Sequence, residues 1–194
     1  VSFNDMASFL DDSYTLFYVL SNASAADKIF WGAWQSGTDC SVLMQRASTV
    51  KFLANDCSDF EVSKDITNPT AGDDVHIVIL TEDRSDKTDY SARLRVDDSD
   101  WGSTTSCNQT CVVDTAMMGA DTDPGPSYDE YTDANFHEML IFDRVLDDEE
   151  IEDVYNYLKT KWLDDSLLNV NAGSADIFTP SRFAGEECNC TSTD

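Results

Sequence analysis

Positive charge is what this chain has least of. Twelve lysines and arginines stand against 38 aspartates and glutamates, a formal net charge of −26. A surface of that sign repels phosphate backbones and anionic headgroups, so nucleic acid and membrane surfaces are excluded as partners. Histidine is scarce as well: His76 and His137 are the only two, and both stand far from any cysteine. Long apolar runs are missing, none approaching the roughly 18 residues that a helix needs to cross a bilayer. Also missing are the Gly-x-Ser-x-Gly elbow and any cysteine–histidine signature, the local marks of an activated nucleophile. The chain opens at Val1 without a signal-like segment and reads as a mature product or an excerpt.

What is present suits one folded domain with a tail. Hydrophobic residues make up 41% of the 194 positions and aromatics 11%, enough for a real core at this length. The acidic residues come in short clusters between apolar segments, which argues against disorder throughout. That pattern fits calcium, cationic partners or a salty habitat. Six cysteines, an even number, can form three disulfides, and three Asn-x-Ser/Thr sequons stand at Asn22, Asn108 and Asn189. Asn68 is a near miss, blocked by Pro69. Paired cysteines and sequons together point to an extracellular glycoprotein, with at least one sequon occupied.

Eight short segments rich in β-branched and aromatic residues are separated by clusters of Asn, Asp, Ser and Gly: 14–20, 29–34, 42–46, 50–53, 75–81, 90–96, 112–118 and 136–142. Strands at this spacing predict an all-β, antiparallel β-sandwich, and eight of them a jelly roll. One helix is expected, C-terminal and amphipathic. Asp147 can cap it, Glu150 completes a capping box, and Leu146 can staple onto Ile151. Asp148, Glu149 and Glu150 suit the positive end of its dipole and Lys159 and Lys161 the negative end. Ile151, Val154, Tyr155, Leu158 and Trp162 form a stripe that should pack on the sandwich.

A turn at Ser48 and Thr49 would pair Arg46 with Lys51 and Met44 with Leu53, and the same register brings Cys40 opposite Cys57. That places them within the roughly 4.4–6.8 Å of Cα separation that a disulfide needs. Cys107, Cys111, Cys188 and Cys190 leave three pairings open, of which Cys188 with Cys190 is a strained ring. Zinc is the rival reading of these cysteines.

The segment Asn135 to Trp162, NFHEMLIFDRVLDDEEIEDVYNYLKTKW, resembles the ending of laminin-G-like, concanavalin A-like jelly-roll modules. In that family a strand with Glu and an Asp-Arg pair runs into a helix closing on Lys-Trp. Phe136, Glu138, Leu140, Phe142, Asp143 and Arg144 take the strand positions, and Leu146, Glu150, Tyr157, Leu158, Lys161 and Trp162 those of the helix. SYTLFYVL, DDVHIVIL and ARLRVDDSDWGS resemble three upstream family segments. The resemblance covers residues 1–163 and implies a lectin-like sandwich from which an opening strand is absent. Residues 164–194 form a cysteine-containing tail with no family counterpart.

That resemblance and the residues together imply a non-catalytic module for recognition or adhesion, with a glycan or an extracellular protein as partner. The alternative is a structural subunit of an extracellular filament, coat or appendage, joined by self-assembly or by a partner strand at the sheet edge left by the absent strand. Glycoside hydrolases share the fold and need two carboxylates roughly 5–10 Å apart on one face. The Glu-x-Asp-x-x-Glu strand of the laminarinase-like group is absent, and Glu138 and Asp143, five apart, fall on opposite faces of a regular strand. Calcium is the expected cofactor, held in the stretch 121–133 by Asp121, Asp123, Asp129, Glu130 and Asp133. Asp97, Asp98 and Asp100 read instead as a hairpin turn. His76 reads as a structural histidine in an apolar strand, and His137 has no partner evident in the sequence.

Overall fold

In the computed structural model the chain is described over residues 12–21, 23, 28–35, 38–46, 49–53, 60–62, 75–86, 90–107, 115–119, 132 and 134–163. Two five-stranded antiparallel sheets face one another, as the strand spacing predicts. The strands are β1 Tyr14–Ser21, β2 Lys28–Gln35, β3 Thr38–Arg46, β4 Thr49–Leu53, β5 Phe60–Val62, β6 Val75–Asp83, β7 Tyr90–Val96, β8 Gly102–Cys107, β9 Thr115–Met118 and β10 Asn135–Phe142. The first sheet runs in the order β10-β1-β6-β7-β8 and the second β5-β4-β3-β2-β9. Helix α1, Asp148–Trp162, follows β10.

β1 reads YTLFYVLS without a charged residue, because both of its faces are covered. Tyr14, Leu16, Tyr18 and Leu20 enter the core between the sheets with Phe30, Trp31, Leu43, Phe52, Val78, Leu80 and Leu94. The alternate residues Phe17 and Val19 join Ile77 and Ile79 under Leu146, Ile151, Tyr155 and Leu158 of the helix layer. The predicted stripe of α1 therefore covers β1 and β6, each buried apolar side chain contributing roughly 1.5–3 kcal/mol. Between Ile29 and Trp31 the pairing with β3 shifts by a bulge, which turns both Phe30 and Trp31 into the core.

The helix start is as expected. Asp147 accepts from the Glu150 amide at 2.9 Å, and the Glu150 carboxylate accepts from the Asp147 amide at 3.0 Å. The strand count is higher than expected, since β5 has three residues and β8, GSTTSC, carries no apolar alternation. The hairpin register also differs. Arg46 pairs with Thr49, Met44 with Lys51 and Val42 with Leu53, leaving only residues 47 and 48 between the paired strands. The expected register was two residues looser, and a shift of two keeps every side chain on its face, so the apolar pattern could not distinguish them. Cys57 lies outside the described residues, so the ladder does not reach the expected Cys40–Cys57 bridge.

Candidate functional site

The 97–100 turn behaves as the sequence predicts. Asp97 adopts φ 50, a left-handed conformation that aspartate tolerates. Its amide donates to the Ile77 carbonyl at 2.8 Å, its Oδ1 accepts from the Ile77 amide at 2.8 Å, and its Oδ2 accepts from His76 Nδ1 at 2.8 Å. His76 is thus a buried, bonded histidine that ties β6 to the β7–β8 turn.

The motif that carries the family resemblance is a latch. Glu138 Oε2 accepts from Trp162 Nε1 at 2.7 Å and from Lys161 Nζ at 2.9 Å, fastening the last turn of α1 to β10. Burial of Glu138 opposes ionisation, but the bonds from Trp162 and Lys161 outweigh it and hold the carboxyl below its ordinary range. At the other end, Arg144 forks onto Glu150 with two bonds of 2.6 Å. Thr15 Oγ1 donates to the Arg144 carbonyl at 3.0 Å and accepts from the Leu146 amide at 2.9 Å. Glu138, Lys161 and Trp162 thus fix the end of the helix, and Arg144 and Glu150 the strand-to-helix junction.

His137 does have a partner. A shift in the β1–β10 pairing leaves His137 without a register partner between Glu138, opposite Val19, and Phe136, opposite Leu20, and His137 faces the helix side beside Trp162. Its Nε2 lies 2.8 Å from Ser21 Oγ, and its ring lies 5.0 Å from that of Trp162. The spacing is that of a nucleophile and its base. Ser21 is buried, however, and among the described residues no carboxylate bonds the other ring nitrogen of His137.

Inside the sandwich lies a charged group that sequence reading missed. Glu82 and Arg84 are buried, with Arg84 Nε donating to Glu82 Oε2 at 2.8 Å and Nη2 lying 2.6 Å from the same oxygen as an ion pair. Tyr14 donates its hydroxyl to Glu82 Oε1, and the Arg84 guanidinium sits 5.8 Å from the Tyr14 ring and 5.6 Å from that of Tyr90. Burial works to lower the Arg84 pKa, but Glu82 and the tyrosines hold it above the ordinary value. Glu82 shares the core-facing parity of Val78 and Leu80, which was the available signal.

The outer face of β7 and β8, beside α1, gathers aromatic and charged groups. Arg93 and Arg95 alternate with the core-facing Ala92, Leu94 and Val96 and so point outward. The half-buried Trp101 ring takes Arg93 at 4.3 Å and Arg95 at 5.1 Å, and Arg95 also lies 4.7 Å from the Tyr155 ring. From the helix, Asp148 accepts from Arg93 Nη2 at 2.8 Å and Glu152 accepts from Arg95 Nη1. Arg95 is largely buried, yet its Nε and Nη2 have no hydrogen-bond partner among the described residues. No motif pointed to this face, since its residues reach it from β7, the turn and α1.

The predicted calcium ligands Asp121, Asp123, Asp129, Glu130 and Asp133, and the sequons Asn22, Asn108 and Asn189, lie outside the described residues. So do Cys57, Cys111, Cys188 and Cys190 and the side chains of Cys40 and Cys107. Residues flanking most of the acidic stretch are described. The Thr132 amide donates to the Gly119 carbonyl at 3.0 Å, the Gly119 amide to the Phe30 carbonyl at 3.0 Å, and the Thr132 hydroxyl to the Ile29 carbonyl. Among the described residues no group of three or more His, Cys, Asp or Glu side chains could hold a metal ion.

No family model and no curated protein matches the sequence. Solved structures do match the fold. The binding domain of botulinum neurotoxin DC, in complex with SialylT, superposes with a TM-score of 0.58 at 14% identity, covering 81% of this chain and 38% of that one. The NanB sialidase of Streptococcus pneumoniae gives 0.57 at 15%, covering 79% and 26%. The SAP-like pentraxin of Limulus polyphemus gives 0.56 at 12%, covering 74% and 69%. The chain thus spans about a quarter of the sialidase and under two-fifths of the toxin domain, and the likeness is one of fold.

Proposed function

We propose that this chain is a non-catalytic recognition module of the extracellular space, with a glycan or an extracellular protein as its ligand. The observation that carries the reading is the half-buried Trp101 flanked by Arg93, Arg95, Asp148 and Tyr155 on the outer face of the first sheet. An aromatic plane ringed by polar side chains with both donors and acceptors is the usual make-up of a binding surface. A domain of the same fold in complex with SialylT supports that use. In this reading calcium sits on the acidic stretch 121–133, and paired cysteines and occupied sequons belong to the same extracellular setting.

The carboxylates are consistent with a module that does no chemistry. Glu82, Glu138 and Glu150 are each bonded to a cation, a state that suits architecture better than proton transfer. The alternative of a structural subunit draws on Phe136, 44% exposed on β10, which ends the first sheet among the described residues.

A glycan array probed with the full chain, with and without calcium, tests the reading. Reproducible binding to a defined subset, weakened by chelation, is the expected result. A blank array together with filament formation in solution would favour the structural subunit.

A further inference from the structure

Resting on the recognition reading, the polar groups beside Trp101 go further and select the class of ligand. Arg93, Arg95 and Lys159, whose ammonium lies 5.8 Å from the Tyr155 ring, are the cations of this face among the described residues. They are outnumbered by Asp98 and Asp100 on the turn and Asp148 and Glu152 on α1. Each guanidinium is already bonded to one of the helix carboxylates. A carboxylated or sulfated ligand would have to displace Asp148 or Glu152 from its arginine and then sit among the remaining carboxylates, on a chain of net charge −26. A simple cation would find acceptors but no use for the arginines or the indole.

A neutral sugar meets every group. Its hydroxyls donate to carboxylate oxygens and accept from guanidinium N–H groups, and the C–H face of a pyranose ring is apolar enough to stack on an indole. Arg95 holds the donors that such a ligand would use. Nη1 is taken by Glu152, but Nε and Nη2 lack partners among the described residues. Buried donors left unpaired are costly, and a ligand oxygen would satisfy them. The Trp101 and Tyr155 rings flank this guanidinium, so Trp101 must tilt for a hydroxyl to reach it.

We infer that the outer face of β7 and β8 beside α1 binds a neutral, hydroxyl-rich saccharide, with Trp101 as the stacking plane, Arg93 and Arg95 as donors, and Asp148 and the turn carboxylates as acceptors. Two exchangeable features set the selectivity. The carboxylates repel acidic sugars, and the indole rejects ligands without an apolar face.

The test titrates the full chain with cellohexaose, mannohexaose, laminarihexaose and chitohexaose, and in parallel with 3′-sialyllactose and a heparin hexasaccharide, following tryptophan emission and heat. Saturable binding of at least one neutral hexasaccharide with an emission change is expected, with acidic sugars at least tenfold weaker. Trp101→Ala and Arg93→Ala should each weaken binding tenfold or more, and Trp101→Phe should restore part of it. Ser103→Arg guards against loss of fold, because Ser103 is exposed and paired with Arg93, so bulk there blocks the face without touching the core. Neutral binding that survives Trp101→Ala and Ser103→Arg would move the site elsewhere and leave the recognition reading standing. A preference for the acidic sugars would overturn the selectivity argument. Failure to bind any of the six would overturn this inference and the glycan form of the recognition reading together.

Discussion

Replacing Glu82 by Gln should destabilise the chain more than any surface substitution. Glu82 is fully buried and paired with Arg84, with Tyr14 bonded to its other oxygen. Attraction between the charges is large in this setting, but so is the cost of removing both from water, and the pair as a whole is close to neutral against an apolar replacement. Removing one partner is different, because the surviving charge keeps its desolvation cost without its compensation. That loss is about 3–5 kcal/mol. Each kcal/mol lowers Tm by about 2–4 °C in a chain of this size, so Glu82→Gln should melt about 6–20 °C below the parent. The tyrosine rings near Arg84 soften the effect, as a desolvated cation–π contact contributes up to about 2 kcal/mol. Glu82→Leu combined with Arg84→Met should recover most of the lost stability. Circular-dichroism melts and urea titration of the parent, Glu82→Leu, Arg84→Met and the double variant make the cycle, with Glu82→Gln measured beside them. A single variant within about 2 °C of the parent, or a double variant whose loss equals the sum of the singles, would refute this account of the pair.

The Arg144 fork holds the Glu150 carboxyl at about 2, below its ordinary 4.5. A depressed carboxyl stabilises the fold above its unfolded value, so this contribution is complete above about pH 5 and lost as pH falls toward 2. The stability gap between parent and Glu150→Gln in denaturant titrations should therefore shrink over that window; a gap constant from pH 6 to 2 would contradict it. Glu138→Ala should cost about 1–3 kcal/mol by releasing Trp162 Nε1 and Lys161. Hydrogen exchange should show the loss first in the last turn of α1, and uniform acceleration along the helix would count against the latch.

The parts legible in the sequence were those set by local chemistry. The start of α1 needed only Asp147, Glu150 and the apolar stripe, all within a few residues of one another. The sandwich followed from strand length and punctuation, and the structural role of His76 from its apolar neighbours. What could not be read depended on partners distant along the chain. β8 has no apolar alternation, so its pairing with β7 is carried by the backbone. The shift at Val19 that turns His137 toward α1 has no composition of its own. The β3–β4 register was ambiguous by two residues, a step to which the face pattern is blind. The Trp101 face was missed for a similar reason, since β7, the turn and α1 contribute residues up to 62 positions apart, from Arg93 to Tyr155.

The most direct test of recognition without chemistry is to pass a labelled mixture of neutral and acidic oligosaccharides over the immobilised full chain and identify the eluate by mass spectrometry. The account predicts that a neutral subset is retained and returns intact after prolonged contact. Retention of nothing, or a retained glycan that elutes shortened, would contradict it.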